Sequence, residues 1–317
     1  MERYFSEMKR RDFIWTSVGA GAVLGVSGAG GAALKPTRVI DTHTHFYDPS
    51  RPGGVPWPPK ESKLLYRTVL PDDWAAVADP QGVRETVVVE ASPLVEDNQW
   101  VLDLAAKDAR LIGVVGNLDP NDAGFEANVK RFAANPKFRG VRWRGGLVDI
   151  DKNPENVLRG AKVLAEHGLE LDLNGSNAML PHALKLAEAV PDLRMVINHL
   201  GGSGDPAATK PGWDKGVAIL ARQCPNVFMK VSALVEQVAG AEGAAPRELA
   251  YYLPVLDHLW NEFGEDRLIY GSNWPVSDRG APYEVVFGLV REFFAGKGEG
   301  AMEKYFWKNA LVAYGVK

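Results

Sequence analysis

The chain has 317 residues, of which 46% are hydrophobic and 24% charged, a composition that is typical of a globular protein and argues against disorder, a collagen-like repeat or a coiled coil. Lysine and arginine number 36 against 40 aspartates and glutamates, giving a formal charge of -4. Because no basic excess is available to neutralise a phosphate backbone, this balance argues against nucleic acid as a partner and favours a small-molecule substrate.

The first 33 residues have the pattern of an export signal. Arg10 and Arg11 precede an uncharged stretch at 13–31 that is rich in Gly and Ala, with small residues near its end that suit cleavage. This pattern resembles a twin-arginine signal. We therefore expect a signal peptide at 1–33, a domain at 34–317, a periplasmic or secreted location and no stable membrane span after cleavage. The alternative is a basic tail on a cytosolic enzyme.

Apolar runs alternate with amphipathic helical segments along the rest of the chain. The predicted strands are 38–45, 85–91, 111–117, 140–144, 169–173, 194–198, 227–231 and 268–271, and the predicted helices include 98–109, 123–134, 154–167, 180–190 and 249–263. Eight strand–helix units in order predict a single α/β domain, a (β/α)8 TIM barrel. An open, doubly wound sheet is the alternative, although no Gly-rich phosphate fingerprint follows the first strand.

A polar, proline-rich segment at 49–71 follows the first predicted strand. In a barrel, a segment in this position lies over the carboxyl ends of the strands, where active sites form. We expect its Trp57 to contact substrate, with the segment acting either as a fixed cover or as a lid.

Histidines occur at the ends of predicted strands. His43 and His45 end the first strand, and His199 ends the sixth. Residues two apart on a strand point to the same face, so both imidazoles of the first strand should face the barrel interior. We expect the three rings to converge, where they either hold one divalent metal such as Zn²⁺ or hydrogen-bond a substrate carbonyl or carboxylate without a metal.

Three motifs together carry a family resemblance. They are His-Thr-His at 43–45, Asn-His-Leu-Gly at 198–201 and Gly-Ser-Asn-Trp-Pro at 271–275, which end strands one, six and eight. In this order they resemble the amidohydrolase superfamily, in particular its amidohydrolase-related branch with fuconolactone hydrolases and 2-pyrone-4,6-dicarboxylate lactonases. The resemblance implies a lactone hydrolase in which the three histidines surround the carbonyl and an aspartate after strand eight activates water, in some members with a divalent metal and in others without.

Asn273 stands where the resemblance implies that aspartate. A carboxamide cannot take a proton from water at neutral pH, so three interpretations remain open. Asn273 orients water or substrate while Glu90 or Asp278 is the base, or a metal on the histidines activates water, or the chain has kept a binding pocket and lost activity. Asp172 or Asn174 stands where metal-rich amidohydrolases have a fifth-strand histidine, so a two-metal site is not expected.

Further polar residues complete the candidate site. Arg142 and Arg144 share a face of strand four and suit a carboxylate, or form salt bridges across the barrel end. Lys230 lies within an apolar strand, so it must be paired or at the mouth, where it would bind substrate. We also place Trp274 beside the substrate. The remaining histidines and the cysteine, which lie on predicted helices, are assigned no site role: His167, His182, His258 and Cys224.

The sequence thus predicts an exported hydrolase that opens a lactone of a sugar acid or small carboxylic acid. Its catalytic residues are His43, His45, His199, Asn273 and Glu90, and its substrate-binding residues are Arg142, Arg144, Lys230, Trp274 and Trp57. The alternatives are a metal-dependent decarboxylase or amide hydrolase on the same barrel, and an inert periplasmic binding protein.

Overall fold

A closed ring of parallel strands organises the computed structural model, which describes residues 34–240 and 243–316, so that the predicted signal at 1–33 lies outside the described residues. The strands are β1 (Ile40–Thr44), β2 (Glu85–Val89), β3 (Leu111–Gly116), β4 (Phe138–Arg144), β5 (Glu170–Asn174), β6 (Met195–Ile197), β7 (Val227–Val231) and β8 (Leu268–Tyr270), in this order around the sheet. The chain after β8 returns to β1 through a parallel bridge between Thr44 and Trp274 and a hydrogen bond of 2.8 Å from the Asn273 N–H to the His43 carbonyl. This closure confirms the predicted (β/α)8 barrel and excludes the open sheet.

Helices connect the strands and cover the outside of the barrel. They are α1 (Pro71–Ala78), α2 (Asp97–Lys107), α3 (Phe125–Ala133), α4 (Pro154–Glu166), α5 (Leu180–Ala189), α6 (Trp213–Gln223), α7 (Leu253–Phe263), α8 (Tyr283–Ala295), α9 (Glu299–Glu303) and α10 (Asn309–Ala313). On α4, Val157, Ala161 and Leu164 are buried at spacings of three and four residues, which is the apolar face that packs on the sheet. Within the described ranges, no helix has both the length and the apolarity needed to cross a bilayer.

One predicted helix starts later than the sequence pattern indicated. Segment 249–263 divides into a 3-10 turn at Leu249–Tyr251 and α7, whose first turn contains Pro254. Proline has no N–H to donate and clashes with a preceding helical turn, so it is tolerated only at the start of a helix. The helix therefore begins at Leu253.

The barrel interior has an apolar cluster of its own. Ile40, Val89, Val196 and Ile269 belong to it, and Tyr314 packs against them. Arg139 and Arg194, near the starts of β4 and β6, donate hydrogen bonds to the carbonyls of Gly315 and Ala313. The carboxyl-terminal residues thereby close the amino end of the barrel and leave the opposite end for a site.

A buried ion pair crosses this interior. Lys230 Nζ donates to Asp172 Oδ2 at 2.8 Å, and both side chains are 0% exposed. Asp172 also accepts a hydrogen bond from Tyr314 Oη at 3.2 Å. Burial, followed by the negative charge of Asp172, raises the pKa of neighbouring Glu170 well above its usual range. Burial thus favours the neutral form of Glu170, and the ammonium of Lys230 pairs with the carboxylate of Asp172.

Replacing Lys230 by Met removes the cation and leaves Asp172 buried without its partner. We expect the free energy of unfolding to fall by about 3–5 kcal/mol, the usual cost of breaking a buried pair from one side, as measured by urea denaturation. The matched control is Lys185→Met, which breaks an exposed pair with Asp151 at 2.6 Å and should change stability little. Equal losses in the two variants would contradict the interpretation of Lys230 as the charge that neutralises the barrel interior.

Candidate active site

Three histidines meet at the carboxyl end of the barrel. His43 is in β1, His45 directly follows β1, and His199 lies two residues after β6. The ring centroid of His43 is 4.9 Å from that of His45 and 4.5 Å from that of His199, which confirms the predicted convergence. His43 is fully buried, and its Nε2 has no hydrogen-bond partner among the described residues. His45 and His199 line a cavity that opens at this end of the barrel.

The segment that follows β7 fixes the orientation of His199. Ser232 Oγ lies 2.8 Å from His199 Nδ1 and accepts the His199 N–H at 3.2 Å, and Gln237 Nε2 donates to the His199 carbonyl at 3.2 Å. His199 has φ of 55°, a left-handed conformation that costs energy for a residue with a Cβ. Such strain persists only where surrounding contacts impose it, so His199 is held in place by its neighbours.

Burial and nearby cations keep all three imidazoles neutral. Desolvation lowers the pKa of His43 and of His199 well below the usual range and lowers that of His45 to about 3. The charges of Arg142 and Lys230 act in the same direction. Each neutral ring offers one N–H donor and one lone pair, the combination needed both to polarise a carbonyl and to accept a proton.

Both arginines of β4 line the cavity, as their two-residue spacing predicted. Arg142 Nη2 donates to Glu90 Oε1 at 3.0 Å and to the Glu90 carbonyl at 2.6 Å, and both side chains are buried. Glu90 therefore neutralises Arg142 and lies behind it, outside the cavity wall. Arg144 is exposed and has no ion-pair partner within the described ranges, so its guanidinium is free to bind a substrate oxygen.

The cavity has a volume of about 210 Å³. This is smaller than the roughly 300–1,000 Å³ of sites for drug-sized ligands, so it suits a molecule the size of a monosaccharide. Besides two imidazoles and two guanidiniums, its walls contain the carboxamides of Asn174 and Asn273 and the indole of Trp57. The lining is thus rich in hydrogen-bonding groups that suit an oxygen-rich ligand.

Trp57 comes from the proline-rich segment predicted to cover the mouth. Its ring centroid is 5.8 Å from that of His45, which places an aromatic face at the cavity edge. Tyr47 and Val69 form an antiparallel bridge across the base of the segment, and Arg51 pairs with Asp97 at 2.7 Å. These contacts fasten the segment to the barrel.

Besides Glu90, three further residues considered for the site lie behind the cavity wall. Lys230, in the middle of β7, points into the barrel below its mouth, and its Nζ lies 3.4 Å from His43 Nδ1. Trp274 is 2% exposed and packs in the core between sheet and helices, since consecutive residues 273 and 274 point in opposite directions. Asp278, which hydrogen-bonds Trp274, does not line the cavity either.

Asn273 contacts a carboxylate that the sequence analysis did not identify. His45 Nε2 lies 3.3 Å from Asn273 Oδ1, and Asn273 Nδ2 donates to Glu236 Oε1 at 2.7 Å. Burial raises the pKa of Glu236 to about 7. Glu236 lies in the irregular segment after β7, five residues beyond the strand, where strand periodicity does not predict the direction of a side chain. The sequence feature that could have indicated this segment as part of the site is its polar residues, Ser232, Glu236 and Gln237.

The three cavity histidines, as placed, do not fit a metal ion. Nitrogens that share a tetrahedral ion lie about 3.4 Å apart, given bonds of about 2.0–2.1 Å. Within the described ranges, His43, His45 and His199 do not form a set whose ligand atoms all lie within 4.8 Å of one another. The ammonium of Lys230 also faces His43 Nδ1, and the surrounding charges are cationic rather than anionic.

Another group of possible metal ligands, whose ligand atoms do have that spacing, lies at the surface outside the cavity. Asp149, Asp151 and His182 have ligand atoms within 4.8 Å of one another. Lys152 pairs with Asp149 at 2.9 Å and Lys185 with Asp151 at 2.6 Å, so both carboxylates are already neutralised. The other residues assigned no site role, His167, His258 and Cys224, also lie away from the cavity.

Comparison with known proteins identifies the family of the chain. Residues 40–316 match the family model described as amidohydrolase. The chain is 35% identical over 240 residues to an L-fucono-1,5-lactonase of Burkholderia ambifaria, covering 75% of this chain and 80% of that protein. It is 25% identical over 285 residues to an L-fucono-1,5-lactonase of Burkholderia multivorans, covering 84% and 92%. The crystal structure of a Burkholderia multivorans amidohydrolase with bound zinc superposes with a TM-score of 0.78 at 24% identity, covering 88% of this chain and 100% of that one. The chain therefore belongs to the amidohydrolase family and is a hydrolase.

Proposed function

We propose that the protein opens a lactone of a sugar acid or of another small carboxylic acid by attack of water on the carbonyl carbon. The observation that carries this proposal is a cavity of about 210 Å³ in which neutral imidazoles face two guanidiniums. The 35% identity to a protein named L-fucono-1,5-lactonase supports a sugar lactone as the substrate class.

The buried His43 lies behind the two imidazoles that line the cavity, and its neighbour sets its tautomer. Its Nδ1 faces the ammonium of Lys230, which can only donate, so the ring proton belongs on Nε2. Nε2 is buried and has no partner within the described ranges. Because His43 does not line the cavity, its role is to support the two imidazoles that do, whose ring centroids lie 4.9 and 4.5 Å from its own.

The remaining wall groups orient the substrate. Arg144 and the Arg142 guanidinium can bind hydroxyl or carboxylate oxygens, and the Trp57 ring can cover the apolar face of a sugar ring. A lactone suits this site because its carbonyl is electrophilic and its leaving oxygen stays tethered after the acyl bond breaks. A weak base is sufficient for such a substrate.

Purified protein should hydrolyse at least one member of a panel of five- and six-membered sugar lactones, followed by acid release with a pH indicator. His199→Ala should lower kcat/KM by roughly 10²–10⁴-fold, because an acid–base or polarising imidazole is lost. His167→Ala, which changes an exposed imidazole at the end of α4, should leave the rate unchanged. Tight binding of a lactone without turnover by the wild type would contradict the proposal and favour a binding protein.

We propose that this hydrolysis proceeds without a metal, because the ammonium of Lys230 faces His43 Nδ1 and the charges nearest the His43 ring are cationic. Dialysis against a strong chelator should leave the lactonase rate unchanged, and added Zn²⁺ should not raise it. Metal content measured on the same samples provides the control. Activity that is lost on chelation and restored by Zn²⁺ would overturn this part of the proposal and favour metal-activated water.

We also propose that residues 1–33 direct export through the twin-arginine route. The support is the Arg10-Arg11 pair before an uncharged stretch rich in Gly and Ala. Replacing both arginines by lysine should retain the full-length protein in the cytoplasm, whereas the wild type should yield a shortened chain in the periplasm, as seen by cell fractionation and mass spectrometry. Equal export of both forms would contradict the assignment.

A further inference from the structure

The carboxyl group of Glu236 does not line the cavity and contacts it through the side chain of Asn273. Asn273 Nδ2 donates to its Oε1 at 2.7 Å, while its Oε2 is buried and has no hydrogen-bond partner among the described residues. Buried carboxylate oxygens without a partner are uncommon in folded proteins. The only cavity-lining group in this hydrogen bond is the Asn273 amide, so any effect of Glu236 on the site passes through that amide.

The proton on the neutral His45 ring belongs to Nδ1. This nitrogen lies 2.8 Å from the carbonyl oxygen of Val89, which can only accept a hydrogen bond. Nε2 of neutral His45 therefore carries a lone pair, and it lies 3.3 Å from Asn273 Oδ1, which also accepts. Two acceptors face each other, and this contact becomes a hydrogen bond when Nε2 gains a proton.

The ionisation of Glu236 decides which end of the amide faces His45. A carboxylate only accepts, so it binds Nδ2 of Asn273 and directs Oδ1 at His45 Nε2. A protonated Glu236 can instead donate to Oδ1, which allows the reversed amide to donate Nδ2–H to Nε2 and to occupy its lone pair. The first arrangement prepares His45 to accept a proton, and the second prevents it.

We propose that ionised Glu236 is a positioning residue that, through Asn273, makes His45 the group that accepts the proton of the attacking water. The inference rests on the proposed lactone hydrolysis. As the water oxygen bonds to the carbonyl carbon, one water proton moves to His45 Nε2 and the carbonyl electron pair moves to its oxygen. The electron pair then re-forms the carbonyl, the bond to the ring oxygen breaks, and His45 returns its proton to that oxygen to give the hydroxy acid.

Ionised Glu236 supplies a negative charge near His45, where the other nearby charges are positive. Arg142 and Lys230 disfavour a positive imidazole at His45, and the carboxylate of Glu236 offsets them through the polarised amide. Burial raises the pKa of Glu236 to about 7, the Asn273 hydrogen bond lowers it, and the Asp278 carboxylate raises it. The phenol of Tyr252 also lies within electrostatic reach. Because the ionised form is the active one, kcat/KM should rise with pH through about 7 and level off above it.

The first test is the pH profile of Glu236→Gln. At about pH 8 this variant should lower kcat/KM by roughly tenfold to a hundredfold, and it should abolish the step near pH 7, because the glutamine does not titrate. Glu248→Gln, the same change at an exposed position of the same loop region, should retain both the rate and the step. A step near pH 7 that persists in Glu236→Gln overturns the proposal while lactone hydrolysis by the wild type stands.

A second test does not depend on turnover. In protein labelled with ¹⁵N at its six histidines, the Nε2 resonance of His45 should shift with a midpoint near pH 7 in the wild type and show no such shift in Glu236→Gln. The same measurement reports whether the variant is folded. An identical response in the two proteins overturns the proposal, even if no lactone is hydrolysed and the proposed function fails.

A third test asks whether Glu236 acts through the amide. Asn273→Asp places a carboxylate beside His45 directly, so adding Glu236→Gln to that variant should no longer lower kcat/KM. A further loss equal to that of the single Glu236→Gln variant would show that Glu236 acts independently of Asn273 and would contradict the proposed route.

Discussion

The ion pair between Lys230 and Asp172 fixes a buried positive charge in the barrel interior, below the histidines of the site. Its ammonium is fully buried, faces one carboxylate at 2.8 Å and reaches His43 Nδ1 at 3.4 Å. A buried cation so close to three imidazoles disfavours their protonation and fixes the tautomer of the ring it touches. Burial is the first cause of the neutral histidines, and this cation, which lies below them and does not line the cavity, lowers their pKa values further.

A second buried pair, Arg142 with Glu90, repeats this arrangement at the rim. Both cations act on the imidazoles from fixed positions, and each is neutralised from behind by a carboxylate outside the cavity. Arg144 lacks such a partner within the described ranges and remains available to the ligand. The site thus combines neutral acid–base groups with a locally positive wall inside a protein of slightly negative charge, a combination suited to an oxygen-rich substrate that becomes an anion when it is opened.

The strand pattern predicted much of this site because alternation along a strand fixes which side chains face inward. His43 with His45 and Arg142 with Arg144 follow from two-residue spacing, His199 follows from its place at the end of the sixth predicted strand, and the family resemblance added Asn273. Other features depend on contacts between elements that no local pattern contains. The position of Lys230 below the barrel mouth follows from its pairing with Ile269 on the neighbouring strand and from the packing of Tyr314 in the barrel interior. Glu236 reaches Asn273 from an irregular segment whose path is set by packing rather than by periodicity.

At Asn273 the backbone conformation and the proposed chemistry depend on the same residue. Asn273 has φ of 62°, a left-handed conformation that asparagine tolerates better than most residues, and it faces both His45 and a buried carboxylate. Where the resemblance implies an aspartate, this chain has an amide that donates to the buried carboxyl group of Glu236.

Hydrolysis in H₂¹⁸O tests the central claim most directly, because it reports which carbon the water attacks. With a sugar lactone as substrate and single-turnover conditions, we expect one ¹⁸O atom in the carboxylate of the product, as attack on the carbonyl carbon requires. Label found in the new hydroxyl group, which would mean cleavage on the alkyl side of the ring oxygen, would contradict water attack on a carbonyl held by these histidines.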